Sequence, residues 1–190
     1  AVTVHDVKAV EYYIGRRLEA LGLERLTPLV HFGCTSEDIN NLAWAVGIRD
    51  AVEQVWLPAA RDLVGQLLAM AEQSREIPML SRTHGQPATP TTLGKELAVL
   101  AFRLRRQLKR VAAQEILGKI NGATGTYAAH VVAVPGADWQ EVSRTFVEGL
   151  GLTWNPLTTQ IESHDWQAEL YGGIAQFNRV LHNLCTDVWS

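Results

Sequence analysis

The residues best suited to chemistry lie in a 14-residue segment, residues 77–90, between two strongly helical patterns. This segment groups Thr83, His84 and Gln86 between prolines. An imidazole can take or give a proton near neutral pH, and a neighbouring hydroxyl and amide can orient a ligand. Helix connections in bundles usually have about 2–8 residues, and longer structureless loops tend to be functional. We therefore predict an acid–base or ligand-binding role here; the alternative is a rigid turn with a locally satisfied histidine.

Three further polar clusters have a similar composition. His5 and Asp6 stand at the start of a helical pattern, where a carboxylate can fix the tautomer of an imidazole. His31 begins a segment that leads to Thr35 and Ser36 at a helix N-terminus, and the free N–H groups of such ends bind anions. A third cluster precedes the last helical pattern and comprises Thr158, Thr159, Gln160, Glu162, Ser163, His164 and Asp165. The alternative for each cluster is a helix cap or a surface histidine.

Motifs of other common sites do not fit the sequence. The six histidines show no metal-ligand spacing such as H-E-x-x-H, so we predict neither a metal nor another cofactor. The glycines of residues 118–125 match neither a P-loop nor a dinucleotide fingerprint, because Lys119 is not followed by Ser or Thr. Cys34 is typical of a packed thiol; the alternative is a reactive thiol, but no basic residue is adjacent in sequence.

Composition excludes several classes of protein. With 47% hydrophobic and 19% charged residues, the 190-residue chain is expected to fold and to be soluble. The net charge of −3 argues against a general nucleic-acid binder. One basic helix face is more typical of solvated or paired side chains than of a nucleic-acid patch: Arg103, Arg106, Lys109 and Arg110. Two cysteines make no disulfide framework, and charges interrupt every apolar run before about 18 residues. We expect a cytoplasmic protein that binds neither nucleic acid nor membrane.

The elements that must position the polar clusters are helical in pattern. Apolar spacing predicts helices over residues 4–21, 35–75, 90–115, 138–149 and 163–190. Thr3 and Asp138 are expected to cap the first and fourth helices, and Pro58 to kink or divide the second. No segment shows the period-2 alternation of a strand, so the predicted class is all-α, with helices long enough for a bundle. The chain starts with Ala and ends within a helical pattern, so we expect a piece of a longer protein.

Five segments together resemble the adenylosuccinate lyase family of the fumarase/aspartase superfamily. They are residues 5–11 (HDVKAVE), 31–41 (HFGCTSEDINN), 81–90 (SRTHGQPATP), 118–125 (GKINGATG) and 155–162 (NPLTTQIE). The T-S-x-D and R-T-H-x-Q-x-A-x-P elements resemble the whole superfamily. The HDVKAVE and QIE elements favour adenylosuccinate lyase over argininosuccinate lyase, fumarase or aspartase.

The resemblance implies a fold and a reaction. The fold would be a mostly helical homotetramer with a shared central bundle, with active sites built from three chains. Residues 1–29 would end the amino-terminal helical domain, and residues 30–190 would form the first part of the bundle, which is incomplete here. The reaction would eliminate fumarate from adenylosuccinate, giving AMP, and from the succinylcarboxamide ribotide, giving AICAR, in purine biosynthesis. Both substrates are small molecules, and no cofactor is implied.

The resemblance also assigns residue roles. His84 matches the general acid, and Lys95 fits the family pattern without an assigned role. The positions that match substrate-binding residues are His5, Asp6, His31, Thr35, Ser36, Thr83 and Gln160. The family's Ser-Ser-x-Met-Pro loop, which carries the serine that acts as base, is absent and would follow Ser190; an Arg-Tyr pair would precede Ala1. We therefore expect a fragment that is inactive alone. The alternatives are a non-catalytic helical assembly module or another lyase of the superfamily, such as argininosuccinate lyase.

Overall fold

The protein is described by a computed structural model over residues 4–190, and α-helices account for most of that range. The helices are α1 (Asp6–Ala20), α2 (Ser36–Ala51), α3 (Leu57–Gln73), α4 (Leu93–Ala112), α5 (Ala128–Ala133), α6 (Trp139–Gly149) and α7 (Asp165–Trp189). A 3-10 helix, Glu24–Leu29, follows α1, and a π-helical turn, Val52–Trp56, joins α2 to α3. The predicted all-α class is confirmed, although α5 was not predicted.

Six strands of two residues each form three small ladders within the described range. They are β1 (Pro78–Met79), β2 (Arg82–Thr83), β3 (Gln86–Pro87), β4 (Thr91–Thr92), β5 (Leu117–Gly118) and β6 (Thr153–Trp154). The pairs β1–β4 and β2–β3 are antiparallel, and the pair β5–β6 is parallel. These strands were not predicted, because a two-residue strand is too short to show an alternating pattern.

The chain divides into two compact units. Unit 1 contains the described residues up to Ile48 together with Glu115–His164, and unit 2 contains Arg49–Gln114 together with Asp165–Ser190. Unit 1 therefore includes α1, the start of α2, α5, α6 and the β5–β6 pair. Unit 2 includes α3, α4, α7 and the segment that was predicted to carry acid–base chemistry.

Unit 2 is built on a three-helix bundle of α3, α4 and α7. The leucines of α4 recur every three or four residues, so Leu100 and Leu104 lie on its buried stripe. The bundle core consists of Ala60, Val64, Leu67, Leu100, Ala101, Leu104, Phe177, Val180 and Leu184. At the start of α4, a Cβ on Gly94 would collide with the Ala71 carbonyl and the Arg75 backbone, so only glycine allows this approach to α3.

Pro58 falls just after the π-helical turn. Proline has no N–H to donate and clashes with the preceding turn, so the sequence predicted a kink or a division there. In the structure a π-helical turn, in which the Leu57 N–H donates to the Val52 carbonyl, separates α2 from α3 just before Pro58. The second predicted helix is therefore two α-helices joined by one widened turn.

Helix caps in unit 1 follow the sequence closely. Asp138 caps α6 as predicted, because its carboxylate accepts a hydrogen bond from the Glu141 N–H at 3.1 Å. Thr3, which was expected to cap α1, lies outside the described residues. The described cap of α1 is His5, whose Nδ1 accepts from the Lys8 N–H at 3.4 Å. No helix in residues 4–190 is both long enough and apolar enough to cross a membrane.

Candidate active site

Four of the predicted site residues meet in unit 1 around residues 31–36, which we call the Thr35 turn. The Gln160 Nε2 donates to the Thr35 Oγ1 at 3.1 Å, although the two residues are 125 positions apart. The His5 Nε2 lies 3.2 Å from the Ser36 Oγ. The structure therefore brings together three separate polar clusters of the sequence at the N-terminus of α2.

The hydrogen-bond roles at this site leave hydroxyl donors available. In the tautomer in which the His5 Nδ1 accepts from the Lys8 N–H, the Nε2 carries the proton and donates to the Ser36 oxygen. The Thr35 Oγ1 likewise accepts from Gln160, because the Gln160 Nε2 can only donate. Both hydroxyl protons can then be donated to a ligand. Two such donors at the start of a 16-residue helix suit an anionic group such as a carboxylate.

The other two predicted residues of unit 1 lie at the edges of this arrangement. The Asp6 carboxylate accepts from the Val7 N–H at 2.9 Å and lies 3.5 Å from the His5 Nδ1. His31 starts the Thr35 turn in a left-handed conformation, with φ of 66°, and its carbonyl accepts from the Cys34 N–H at 3.2 Å. Side chains with a Cβ rarely adopt this conformation, and such positions concentrate at functional sites.

A buried ion pair that the sequence did not predict contacts the backbone of the Thr35 turn. The side chains of Asp38 and Lys119 are both 0% exposed, and the Lys119 Nζ donates to the Asp38 Oδ1 at 2.8 Å. Three backbone N–H groups complete the shell of the carboxylate, those of Thr35 at 2.9 Å and of Asn121 and Gly122 at 3.1 Å each. A buried charge is tolerable only when it is paired and hydrogen-bonded in this way.

Asn41 closes the same network from one helical turn further along α2. Its side-chain Oδ1 accepts from the Lys119 N–H at 2.9 Å, and its Nδ2 donates to the Lys119 carbonyl at 3.0 Å. The Asn41 side chain therefore forms hydrogen bonds with both the N–H and the carbonyl of Lys119, as a paired residue of a neighbouring β-strand would. The sequence indicated Asp38 as a first-turn acid of the helix and as part of the T-S-x-D element, but not as a buried ion-pair partner. The sequence did contain one sign of the pair. Lys119 stands between Gly118 and Ile120, and a lysine that is buried in such apolar surroundings needs an acidic partner.

His130 supports the Thr35 turn from the side of α5. It is buried, and a Cβ placed on Gly33 would lie 2.6 Å from its ring, so only glycine fits against it. The rings of Phe32, Tyr127 and Trp139 surround the imidazole. Burial lowers the pKa of His130, and the charge of Asp38 opposes that shift. The ring is therefore held in its neutral form.

Cys34 lies within the Thr35 turn and is an inert thiol at neutral pH. Burial first, and the negative charge of Asp38 second, raise its pKa to about 11, while the charge of Lys119 opposes them. The thiolate is the nucleophilic form, so such a thiol is poorly reactive. This supports the packed-thiol interpretation over the reactive one.

The segment around His84 belongs to unit 2 and has a different construction. Thr83 pairs with Gln86 across β2 and β3, and His84 and Gly85 form the two-residue connection, with φ of 50° and 77°. Positive φ at both central residues defines a type I′ hairpin turn. We call residues 82–87 the His84 turn. All of its side chains are exposed, so His84 projects from a hairpin rather than from the structureless loop that was predicted.

Glu162, which the sequence placed in the third polar cluster and the QIE element without predicting its burial, is another buried group. Its side chain is fully buried and accepts from the Asn155 Nδ2 at 2.9 Å and the His164 N–H at 2.6 Å. These bonds close the segment that carries Gln160 into a compact loop. Among residues 4–190, no group of three or more His, Cys, Asp or Glu side chains is arranged to hold a metal ion.

Comparisons with known proteins show the family of the chain. A family profile described as "Lyase" matches residues 2–190. The chain is 51% identical over 188 residues to the adenylosuccinate lyase of Escherichia coli K12 and 50% identical over 189 residues to that of Vibrio cholerae. Each match covers 98% of this chain but 41% of the relative. The chain therefore spans about two fifths of the length of these curated relatives.

A solved structure shows the same fold. It is a β-carboxy-cis,cis-muconate cycloisomerase from Acinetobacter calcoaceticus, with a TM-score of 0.75 and 24% sequence identity. The match covers 95% of this chain and 40% of that one. At this identity the likeness concerns the fold alone, and it places the helices described above in a known all-α architecture.

Proposed function

Because the chain belongs to the lyase family whose profile matches residues 2–190, we propose that it is the central part of an adenylosuccinate lyase. The single observation that carries this proposal is the identity of about one half to curated adenylosuccinate lyases along 98% of the chain. The enzyme would release fumarate from adenylosuccinate, giving AMP, and from the succinylcarboxamide ribotide, giving AICAR. It would act without a cofactor in purine biosynthesis.

The chemistry of such an elimination needs three kinds of group. A base removes the proton next to a carboxylate, the C–N bond breaks, and the leaving nitrogen takes a proton from an acid. Hydrogen-bond donors must stabilise the charge that develops on the carboxylate, and one such donor is worth ~2.7–4 kcal/mol. We assign the acid role to His84 and substrate binding to Thr83. In unit 1 we assign substrate binding to His5, Asp6, His31, Thr35, Ser36 and Gln160.

The available hydroxyl protons at the Thr35 turn support the binding assignment. Thr35 and Ser36 each accept from a neighbouring side chain and so can donate to a carboxylate of the substrate. The base is assigned to a Ser-Ser-x-Met-Pro loop, a sequence that the 190 residues do not contain. We also propose a cytoplasmic homotetramer. In it, residues 1–29 end an amino-terminal domain and residues 30–190 begin the shared bundle.

Fumarate release by the full-length protein that contains this chain tests the proposal. Adenylosuccinate should be converted to AMP and fumarate, which can be followed by absorbance, and argininosuccinate should not react. Conversion of argininosuccinate alone would identify a different lyase, and no turnover of any succinyl substrate would favour a helical assembly module. The purified 190-residue chain should release no fumarate, because it lacks the base.

Replacement of His84 by alanine in the full-length protein tests the acid role. We expect turnover of adenylosuccinate to fall at least 100-fold, since general acid catalysis contributes about 10²–10⁴-fold. The thermal unfolding midpoint should hardly change, because the side chain is exposed. Thr89→Ala is the matched control in the same segment and should keep near-normal turnover. Near-normal turnover of His84→Ala would remove His84 from the acid role.

A further inference from the structure

The direct contact between Thr35 and Gln160 is too exposed to fix their positions. The hydrogen bond that joins them is 3.1 Å long, and Gln160 is exposed. Such a bond competes with water and contributes about 0.5–1.5 kcal/mol at most. A binding site needs its groups held within fractions of an ångström, so another element must set the distance between these two side chains.

Residues 118–122 are attached to the Thr35 side of the site by buried groups. The Lys119 Nζ and the Asn121 N–H both donate to the Asp38 Oδ1, at 2.8 and 3.1 Å. The other oxygen of the same carboxylate accepts from the Thr35 N–H at 2.9 Å. One buried carboxylate therefore holds the backbone of Thr35 and the backbone of Asn121 together.

The same residues are attached to the Gln160 side. The Asn121 Nδ2 donates to the Thr158 Oγ1 at 2.7 Å, two positions before Gln160. The Asn155 N–H donates to the Gly118 carbonyl at 2.8 Å. At Gly125 a Cβ would collide with the Thr158 carbonyl, so the two segments are in backbone contact. Both sides of the site are thus fastened to one buried segment.

We propose that Lys119 and Asn121 are positioning residues that set the separation of Thr35 and Gln160. Asn121 does so by joining Asp38 through its backbone to Thr158 through its side chain, and Lys119 by pairing with Asp38. Neither residue contacts substrate, because Lys119 is 0% and Asn121 1% exposed. The inference rests on the proposed function, which supplies the reason why the two side chains must be fixed.

Asn121→Ala in the full-length protein is the principal test, because it removes the Thr158 contact without removing the ion pair. Amide hydrogen exchange, measured by mass spectrometry, should rise at least threefold in peptides covering residues 155–162. Peptides of α3 and α4 in unit 2 should keep their exchange rates. Unchanged exchange in residues 155–162 would overturn the proposal whatever the enzyme does.

Steady-state kinetics provide the second readout. Loss of positioned binding groups raises KM while kcat stays nearly constant. For Asn121→Ala we expect KM for adenylosuccinate to rise about three- to tenfold, the fold-change that corresponds to one lost hydrogen bond. Raised exchange with an unchanged KM would contradict the proposal, because the segment would then loosen without any effect on binding.

Two further variants make the result specific. Thr158→Val removes the same hydrogen bond from its other end, so the double variant should show no more than the larger single effect. Additive effects would contradict a shared contact. Thr124→Ala is the matched control, because Thr124 lies three residues after Asn121 but its hydroxyl contacts the exposed Thr126 hydroxyl, at 2.7 Å. It should change neither exchange nor KM.

Failure of the proposed function gives a different pattern. If the wild-type full-length protein has no activity on adenylosuccinate, the lyase assignment fails. The exchange measurement still decides the positioning role, because it reports the attachment of residues 155–162 without substrate. If the wild type is active and neither readout responds in Asn121→Ala, the lyase assignment stands and the positioning role is wrong.

Discussion

The two turns that carry the predicted site residues, one in each unit, are held in opposite ways. The Thr35 turn rests on a buried carboxylate that accepts four hydrogen bonds and on a buried imidazole, and these groups fix its backbone. The His84 turn is an exposed hairpin held by two ladders of two residues each. We expect the Thr35 turn to open only when the surrounding unit unfolds, whereas the His84 turn can open locally at a low free-energy cost.

This difference matches the two chemical tasks assigned to the turns. Binding groups must keep one geometry before the substrate arrives, and a buried polar network gives that rigidity. An acid must reach a leaving group that appears only after the substrate binds, so an exposed hairpin is a suitable carrier. The contrast predicts that the same kind of substitution has unequal effects at the two turns.

Lys119→Met should have the largest effect on stability. It leaves the Asp38 charge buried without its partner, and breaking a buried pair in this way costs about 3–5 kcal/mol. Urea unfolding of the full-length protein, followed by tryptophan fluorescence, measures the loss. Lys95→Met is the matched control in unit 2, which also contains the His84 turn, because Lys95 pairs with Glu96 at the exposed surface; it should change stability little. Equal losses of stability in the two variants would contradict the conclusion that a buried ion pair supports the Thr35 turn.

Glycine substitutions compare the turns more directly, with a smaller effect expected. Gly33 and Gly85 both have positive φ, of 67° and 77°, so alanine is strained at each by about 1 kcal/mol. At Gly33 the new methyl group also meets the His130 ring, and overpacking of this kind costs a further ~1–3 kcal/mol. At Gly85 no atom lies within 4 Å. Thermal unfolding should therefore show a clearly larger loss for Gly33→Ala than for Gly85→Ala; the reverse order would contradict the buried support of the Thr35 turn.

The sequence predicted the helices and most of the polar residues at these turns, because both signals are local. The spacing of the α4 leucines and the carboxylate of Asp138 act within a few residues, and the structure confirms both. The His84 hairpin was missed since its type I′ turn has Gly at one central position and His at the other. Histidine is a weaker signal for positive φ than the Asn-Gly, Asp-Gly and Gly-Gly pairs that mark such hairpin turns.

That Asp38 is the partner of Lys119 was not predictable from local patterns. Its members are 81 positions apart, and Asp38 also fits an ordinary first-turn acid of α2. Only the folded structure shows that the Asp38 carboxylate is buried and hydrogen-bonds to Lys119 rather than to water. Residue roles at the site stay predictions, as does the division into residues 1–29 and 30–190.

Stability of unit 1 should depend on pH through His130. Burial lowers its pKa in the folded protein, whereas the unfolded chain has the ordinary value of about 6.5. Below pH 6.5 the imidazole is protonated in the unfolded chain but stays neutral in the folded one. The free energy of unfolding is therefore highest above pH 6.5, and it falls as the pH drops towards the folded pKa. The urea midpoint should decrease from pH 7.5 to 5.5, and His130→Phe should make this decrease smaller. An identical decrease in the variant would show that other groups cause it.

Thiol reactivity compares the turns without unfolding them and gives the smallest expected change. At pH 8 a thiol with a pKa of about 11 is thiolate in roughly one molecule in a thousand, against about a quarter for an ordinary cysteine. The higher intrinsic nucleophilicity of a basic thiolate offsets part of this difference. In a Cys185→Ser background, which removes the other, exposed cysteine, Cys34 should react with iodoacetamide at least about tenfold more slowly than a cysteine introduced by Thr83→Cys on the His84 turn. Similar rates would mean that the Thr35 turn opens as readily as the exposed hairpin, and the buried network would then not hold it.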